Sequence, residues 1–253
     1  MLRIQYASDL HLESADNTRY LEEHPMVVTG DVLVLAGDIA VLGPEYSRHP
    51  FWDWASDNYR RVIVIPGNCE FHGGFDLAKM HEGWTLKIRS NVTCHYNDIL
   101  TIDDTELILT PMWAHIRIEN VLPSQSGVSD FRCIRYSDRL MTWMDFNEMH
   151  YRCFHFLNDS IRRSTATHIV VVTHYLPSFR LLSPEFSGNP LNGAFVTDLD
   201  GFIASCPVEY WLYGHSHRNI DCRIGRTRCL SNQLGYVRKG EHHDFDPARS
   251  ILL

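Results

Sequence analysis

Residues 62–71 read VIVIPGNCEF, a β-branched apolar run that stops at a proline and a glycine. Such a run is typical of a buried strand, and the Pro-Gly pair marks its end as a turn. Asn68, Cys69 and Glu70 therefore follow directly on a strand end, where α/β proteins commonly place their sites. The cysteine raises the question of whether it is a catalyst, a metal ligand or the replacement of a lost histidine.

Four further stretches combine a nearly continuous apolar run with polar residues at its end. They are LRIQYASDLH (2–11), DVLVLAGDI (31–39), THIVVVTHY (167–175) and VEYWLYGHSH (208–217). Runs of this kind indicate strands that are covered on both faces. Helix-like patterns at 47–60 and 146–164 lie between them, whereas the segments at 91–103, 106–113 and 221–232 are each predicted to form a hairpin.

The alternation of strands and helices predicts a mixed α/β fold in a single domain that spans 1–253. The polar stretch ENVLPSQSGVSDFR at 119–132 is the best candidate for a long loop. Long loops in compact domains often cover or bind ligands, so we expect a cap or lid around 114–145. In the helix at 146–164, a stripe of apolar residues at helical spacing is predicted to face the core.

The composition limits the classes of partner and the compartment. The formal net charge of −8 disfavours a protein that wraps long nucleic acid, because such binding relies on basic side chains. The seven cysteines are odd in number and form no CxxC, which indicates reduced thiols and a cytoplasmic protein. We also expect no membrane association, since there is neither a signal-peptide pattern nor an apolar run of about 18 residues.

The polar residues at the five strand ends share one property, because each offers an oxygen or imidazole ligand to a metal ion. They are Asp9, His11, Asp38, Asn68, His174, His215 and His217. The first two and the last two are spaced two residues apart, so an extended backbone points both members of each pair the same way. Glycines at positions 37, 67 and 214 precede ligands, where the backbone must turn tightly or approach closely.

Seven ligands exceed the roughly four that one Zn²⁺ takes. Two divalent ions that share a carboxylate would use all of them. Mixed nitrogen and oxygen ligation suits Mn²⁺, which we expect, and also Fe, Zn²⁺ or Ni²⁺. Two ions about 3.5–4 Å apart can activate water and hold the oxygens of an in-line displacement at phosphorus.

The ordered motifs SDLH, GDI, GNCE, THY and GHSH resemble those of the calcineurin-like metallophosphoesterase family, usually written DxH, GD, GNH[DE], H and GHxH. The resemblance runs from Asp9 to His217. It implies a four-layer αββα sandwich, in which helices flank two mixed β-sheets. The ligand sets that it implies are Asp9, His11 and His217 for one metal and Asn68, His174 and His215 for the other, with Asp38 bridging both.

The same resemblance implies a metal-dependent phosphoester hydrolase with Asp38 and Asn68 as catalytic residues and with Asn68 and His174 also facing the substrate. We favour a phosphodiesterase, in which a hydroxide bridging the metals attacks a small phosphate ester such as a nucleotide. The alternatives are a phosphomonoesterase or phosphoprotein phosphatase, and a non-catalytic relative that only binds metal. The sequence shows no pattern of interface residues that would define an oligomeric state.

Cys69 stands where the family carries a histidine that is thought to protonate the leaving group or steady the transition state. A thiol cannot act as a cation, and two nearby metals should lower its pKa. Cys69 is then a filler, a thiol donor or metal ligand, or the mark of lost catalysis. Because relatives without this histidine often resemble phosphodiesterases, the substitution favours diesters.

Three neighbouring residues have predicted roles at the site. His72 lies in the same loop as Cys69 and is a candidate replacement acid, the alternative being a surface histidine. Arg132, in SDFRCIR, is a candidate for bidentate binding of a phosphate oxygen, the alternative being a solvated side chain. Glu70 is expected to hydrogen-bond the loop backbone and orient the site.

Overall fold

The computed structural model describes all 253 residues and contains two six-stranded sheets and one short hairpin. The strands are β1 (Arg3–Ala7), β2 (Val32–Ala36), β3 (Arg61–Ile65), β4 (Trp84–Lys87), β5 (Val92–Tyr96), β6 (Asp98–Ile102), β7 (Thr105–Leu109), β8 (Arg135–Tyr136), β9 (Arg139–Leu140), β10 (His168–Val172), β11 (Tyr210–Tyr213), β12 (Cys222–Ile224), β13 (Thr227–Ser231) and β14 (Ser250–Leu252). The helices of four residues or more with α geometry are α1 (Ala15–Glu23), α2 (Phe51–Asn58), α3 (Val121–Gly127), α4 (Asp130–Cys133), α5 (Trp143–Arg163) and α6 (Asp200–Ser205).

Each sheet has a parallel centre and antiparallel edges. The first runs β14-β1-β2-β3-β5-β4, and its four central strands are parallel. The second runs β12-β13-β11-β10-β7-β6, again with four parallel strands between two antiparallel ones. Parallel central strands place their carboxyl ends at the same edge of each sheet, which is the edge that carries the polar motifs.

Alternate residues of the central strands face two different apolar layers. Val32, Val34 and Ile63 of the first sheet pack with Val170 and Leu212 of the second between the sheets. The intervening strand residues belong to the larger cluster that lies under the helices. Because both faces are buried, the strands read as continuous apolar runs. The predicted mixed α/β sandwich, with two sheets flanked by helices, is confirmed.

Both predicted helices are present. The pattern at 47–60 contains α2, and the pattern at 146–164 lies within α5 except for its last residue. A capping box between Thr142 and Asp145 begins α5. The apolar stripe of α5 is buried, as predicted. No helix is both long and apolar enough to cross a membrane.

One predicted hairpin is confirmed and two are wrong. Residues 221–232 form the hairpin of β12 and β13. Residues 91–103 hold two strands that lie in different sheets, because the chain passes from one sheet to the other at Asn97, whose φ is 46°. Residues 106–113 hold only β7, which pairs with β6 on one side and β10 on the other. Local alternation cannot reveal which partner a strand takes.

The segment at 114–145 is not a structureless loop. It contains α3, α4 and the β8–β9 hairpin. Ile134 is fully buried and Phe131 nearly so, and both belong to the larger core cluster. The segment is therefore anchored to the domain by apolar packing.

Candidate metal centre

The seven predicted ligands all follow the carboxyl ends of parallel strands. Three strands of the first sheet, β1, β2 and β3, lead into Asp9 and His11, Asp38, and Asn68. Two strands of the second sheet, β10 and β11, lead into the three remaining histidines. The two sheets bring all seven side chains together in one buried centre.

Five of the seven ligand residues have left-handed backbone, with φ between 47° and 79°. They are Asp9, His11, Asp38, His215 and His217. This region is uncommon for residues other than glycine and persists where the surrounding structure holds it. Here the amides of Asp9 and His11 donate to the carbonyls of Gly37 and Asp38, at 2.9 and 3.0 Å. The strand ends thus lock one another in the geometry that aims the ligands inward.

All three predicted glycines stand where no side chain fits. A Cβ on Gly67 would overlap Asp38 Oδ1 and the ring of His174. A Cβ on Gly37 would overlap His174 Nδ1, and this residue also has a φ of 90°. A Cβ on Gly214 would overlap Asp9 Oδ2 and the hydroxyl of Ser8. The three expectations about close backbone approach are confirmed.

The ligand atoms form two groups that share one residue. Asp9, His11, Asp38 and His217 have ligand atoms within 4.8 Å of one another, and so do Asp38, His174 and His215. Asn68 Oδ1 lies 3.1 Å from His174 Nε2 and so joins the second group. The carboxylate of Asp38 reaches toward both, with Oδ2 3.9 Å from His11 Nε2 and Oδ1 3.4 Å from His174 Nε2.

Three of the histidines are fixed through Nδ1. These contacts join His11 to Glu13 at 2.9 Å, His217 to Glu241 at 2.7 Å, and His174 to the carbonyl of Ala36 at 2.9 Å. An acceptor at Nδ1 holds the proton there and leaves Nε2 as a lone-pair donor to a metal. The Nε2 atoms of His11 and His217 are only 3.0 Å apart, so a cation or a proton is needed between them. The donor set therefore fits divalent metal ions.

Without bound metal, protons on the histidines supply part of the positive charge that the ligand atoms require. Burial lowers the pKa of His174, but Asp38 overrides that effect and raises it to about 9. Burial is likewise outweighed at His217, where hydrogen bonds to Asp9 and Glu241 raise the pKa to about 10. At His215, burial and the charge of His174 lower the pKa to about 3. The carboxylates thus favour positive charge at two of the imidazoles.

Comparison with known proteins identifies the family. The family described as calcineurin-like phosphoesterase matches residues 2–219, which include all seven ligands. The chain belongs to this family. Its members are metal-dependent phosphoester hydrolases, as the sequence motifs implied.

Two similar proteins cover nearly the whole phosphoesterase. Uncharacterized protein L509 of Acanthamoeba polyphaga mimivirus is 24% identical over an alignment of 271 positions, which covers 96% of this chain and 94% of that protein. The crystal structure of phosphopantetheinyl hydrolase from Mycobacterium tuberculosis superposes with a TM-score of 0.70 and 17% identity, covering 98% of this chain and 95% of that one. At this identity the structural likeness shows a shared fold.

Glu70 joins two of the strand-end loops of the phosphoesterase. One carboxylate oxygen accepts the amide of Ile39 at 2.8 Å, and the other accepts those of Asp38 at 2.9 Å and Gly67 at 2.7 Å. Glu70 is fully buried. The expectation that it hydrogen-bonds the loop backbone is confirmed.

Cys69 is nearly buried beside the shared carboxylate. Its amide donates to Asp38 Oδ1 at 2.8 Å, and its Sγ lies 3.8 Å from Asn68 Nδ2. Burial, together with the charges of Asp38 and Asp130, raises the pKa of the thiol well above its ordinary value. In the metal-free chain this direction is opposite to the lowering expected beside two metals, so the side chain is a neutral thiol.

Asp130 is the site residue that sequence reasoning missed. This carboxylate in α4 is 1% exposed, and its Oδ1 accepts the Asn68 amide at 2.9 Å and lies 2.8 Å from His72 Nε2. The contact with Asp130 raises the pKa of His72 against the lowering effect of burial. Asp130 is 62 positions from Asn68, and no spacing in the sequence links them.

Arg132, in contrast, is exposed and does not join the centre. Its guanidinium donates to the carbonyl of Ser126 in α3 at 2.8 Å. Aromatic rings cover the ligands instead, since Tyr236 stacks on His11 at 4.2 Å between centroids and Phe195 stacks on His215 at 4.7 Å. A strand-end pattern could not identify these rings, because they lie on loops distant in sequence.

Metal uptake by the stripped protein is expected to release about two protons at pH 7, because metals replace the protons on His174 and His217. Both pKa values are raised, so these protons are bound below pH 9 and lost above it. Metal affinity should therefore rise with pH up to about pH 9–10. Calorimetric titration in buffers of different ionisation enthalpy measures the released protons. Uptake without proton release would contradict this account.

Replacing Glu70 with Gln should destabilise the fold by about 2 kcal/mol, because a side-chain NH₂ would face backbone N–H donors on one side. Thermal and denaturant unfolding with a metal chelator present measures this loss without a contribution from metal. Glu82→Gln, at an exposed position, is the matched control and should unfold like the wild type. Equal stability of the two variants would show that the Glu70 contacts contribute nothing net.

Proposed function

We propose that this phosphoesterase is a phosphodiesterase that uses two divalent metals, with Mn²⁺ as the first choice. Asp9, His11 and His217 would hold one ion and Asn68, His174 and His215 the other, with Asp38 shared. The observation that carries this proposal is the position of the Asp38 carboxylate between the two ligand groups. Fe, Zn²⁺ and Ni²⁺ suit the same ligands.

Bound divalent ions would supply a water-derived nucleophile near neutral pH and positive charge for the phosphoryl oxygens. The chain itself supplies orientation. Asp130 accepts a hydrogen bond from the side-chain amide of Asn68. The Oδ1 of Asn68 therefore points toward His174 Nε2, 3.1 Å away. Asn68 and His174 are also the ligands that we assign to the substrate side of the centre.

The preference for diesters rests on charge. Cys69 occupies the position where the family carries a histidine, and a cysteine side chain cannot act as a cation, so no cation stands there. A phosphomonoester is a dianion near neutral pH, whereas a diester carries a single negative charge. A centre that lacks the extra cation is better matched to the diester. The alternative, a phosphomonoesterase or phosphoprotein phosphatase, makes the opposite prediction in the same assay.

His72 is the group that we propose as proton donor to the leaving oxygen in place of the missing histidine. Its ring is fixed by Asp130 at 2.8 Å, and the same carboxylate oxygen holds Asn68. About a fifth of its side chain remains exposed, so it can meet a substrate at the edge of the centre. A residue anchored in this way meets the first requirement for general acid catalysis, a defined geometry.

The substrate and compartment that we propose follow from composition. The net charge of −8 favours a small phosphate ester, such as a nucleotide, over long nucleic acid. All seven cysteines are free, in keeping with the reducing conditions of the cytoplasm.

Bis-p-nitrophenyl phosphate should be hydrolysed faster than p-nitrophenyl phosphate by the Mn²⁺-loaded enzyme. Asp38→Ala should reduce diester turnover to that of Mn²⁺ in buffer, since the shared ligand is lost. Asp57→Ala, at an exposed position, should retain full activity. Faster monoester turnover would favour the phosphatase, and no turnover with Mn²⁺, Fe²⁺, Zn²⁺ or Ni²⁺ would favour a relative that only binds metal.

His72→Asn should lower kcat for diphenyl phosphate by about 100-fold and lower kcat for bis-p-nitrophenyl phosphate much less. Phenolate is the poorer leaving group and depends more on protonation. His81→Asn, at an exposed position, is the matched control and should leave both rates unchanged. An equal loss on both diesters would assign His72 a structural role.

A further inference from the structure

A slot of about 230 Å³ opens beside the candidate metal centre. Its lining includes the two ligand residues His215 and His217 and the apolar side chains of Phe186, Leu191 and Phe195. An apolar cavity of about 150 Å³ is large enough to bind benzene. The slot can therefore hold a six-membered ring or a chain of similar bulk directly next to two ligand residues.

The walls of the slot are held by contacts within the protein. Phe195 stacks on His215 with 4.7 Å between ring centroids. The guanidinium of Arg218 lies 5.9 Å from the ring centroid of Phe186. Arg218 is itself held by Glu185, with 2.6 Å between Nε and Oε1. The slot is thus formed in the chain before any ligand enters.

The charges around the slot do not favour a second anionic group. Arg218 is neutralised by Glu185, and Glu241, the remaining charged residue of the lining, is paired with His217 at 2.7 Å. No unpaired cation is left to bind a second phosphate or a carboxylate. Because the charged residues of the lining are paired and the rest of the lining includes apolar side chains, the slot suits an uncharged group.

The slot adjoins a larger space in the protein surface. It shares Leu182, Asn189 and Asn192 with a neighbouring cleft of about 720 Å³ that extends to His115 and Arg117. The Nδ2 of Asn192 donates to the carbonyl of Phe186 at 2.8 Å, which fixes the boundary between the two spaces.

We propose that this slot binds an uncharged, apolar or aromatic ester arm of the substrate, attached to the phosphorus that the metals hold. The inference rests on the proposed function, because the metal centre must hold the phosphoryl group. It adds a specificity that the catalytic residues do not determine. Phe186 is the residue that contacts the arm, and Arg218 is a positioning residue for Phe186.

Binding of two phosphonates to the Mn²⁺-loaded protein tests the proposal without catalysis. Phenylphosphonate and methylphosphonate share the group that would meet the metals and differ only in the arm. Calorimetry should give a dissociation constant about tenfold or more lower for phenylphosphonate, as expected for burial of a ring. Phe186→Ala should abolish this difference and leave the methylphosphonate constant unchanged.

Phe186 lies outside the two core clusters, so its truncation should leave folding and metal content intact, which thermal unfolding and metal analysis verify. Met144→Ala, at an exposed position on α5 outside the slot, is the matched control and should keep the tenfold preference. Equal affinities in the wild type, no binding of either phosphonate, or a preference retained in Phe186→Ala would each overturn the proposal. A phenyl preference in a protein that hydrolyses no diester would overturn the proposed function and leave the slot assigned.

Discussion

The buried carboxylate of Glu70 is the contact on which the centre depends. It accepts backbone amides from the loops that follow β2 and β3, and so ties Asp38 to the turn at Gly67. This connection sets the place of the one side chain that both ligand groups share. Without it, the left-handed backbone at Gly37 and Asp38 after β2 and the turn at Gly67 after β3 would lose their common anchor. The geometry of the metal ligands is thus a property of backbone hydrogen bonding as well as of side-chain identity.

The electrostatics of the centre follow from this close packing. Carboxylates enclosed with imidazoles raise the proton affinity of His174 and His217, and the same field attracts divalent cations. Glu13 and Glu241 add to this field and direct the Nε2 atoms of their histidines inward. The fold therefore encloses carboxylates and imidazoles that require positive charge between them. Protons and metal ions both supply this charge, and they compete for the same ligand atoms.

The segment at 114–145 changes how the loss of the usual histidine is understood. Cys69 by itself suggests a gap in the catalytic machinery. Asp130, delivered by α4 of that segment, holds both Asn68 and His72. It connects a family ligand to a histidine that stands four residues further along the chain. The chain that carries Cys69 in place of the family's histidine thus also carries His72, which Asp130 fixes at the edge of the same centre.

The sequence alone determined the five strands that end in polar motifs, the order of those motifs and the seven candidate ligands, because apolar runs and strand-end spacing are local properties. It also predicted the close approach at Gly37 and Gly67. Only the tertiary structure decided that β5 and β6 lie in different sheets, that Asp130 reaches Asn68, and that Phe186 lines a slot at the centre. These are contacts between distant parts of the chain, set by packing between elements, and they leave no periodic signal in the sequence.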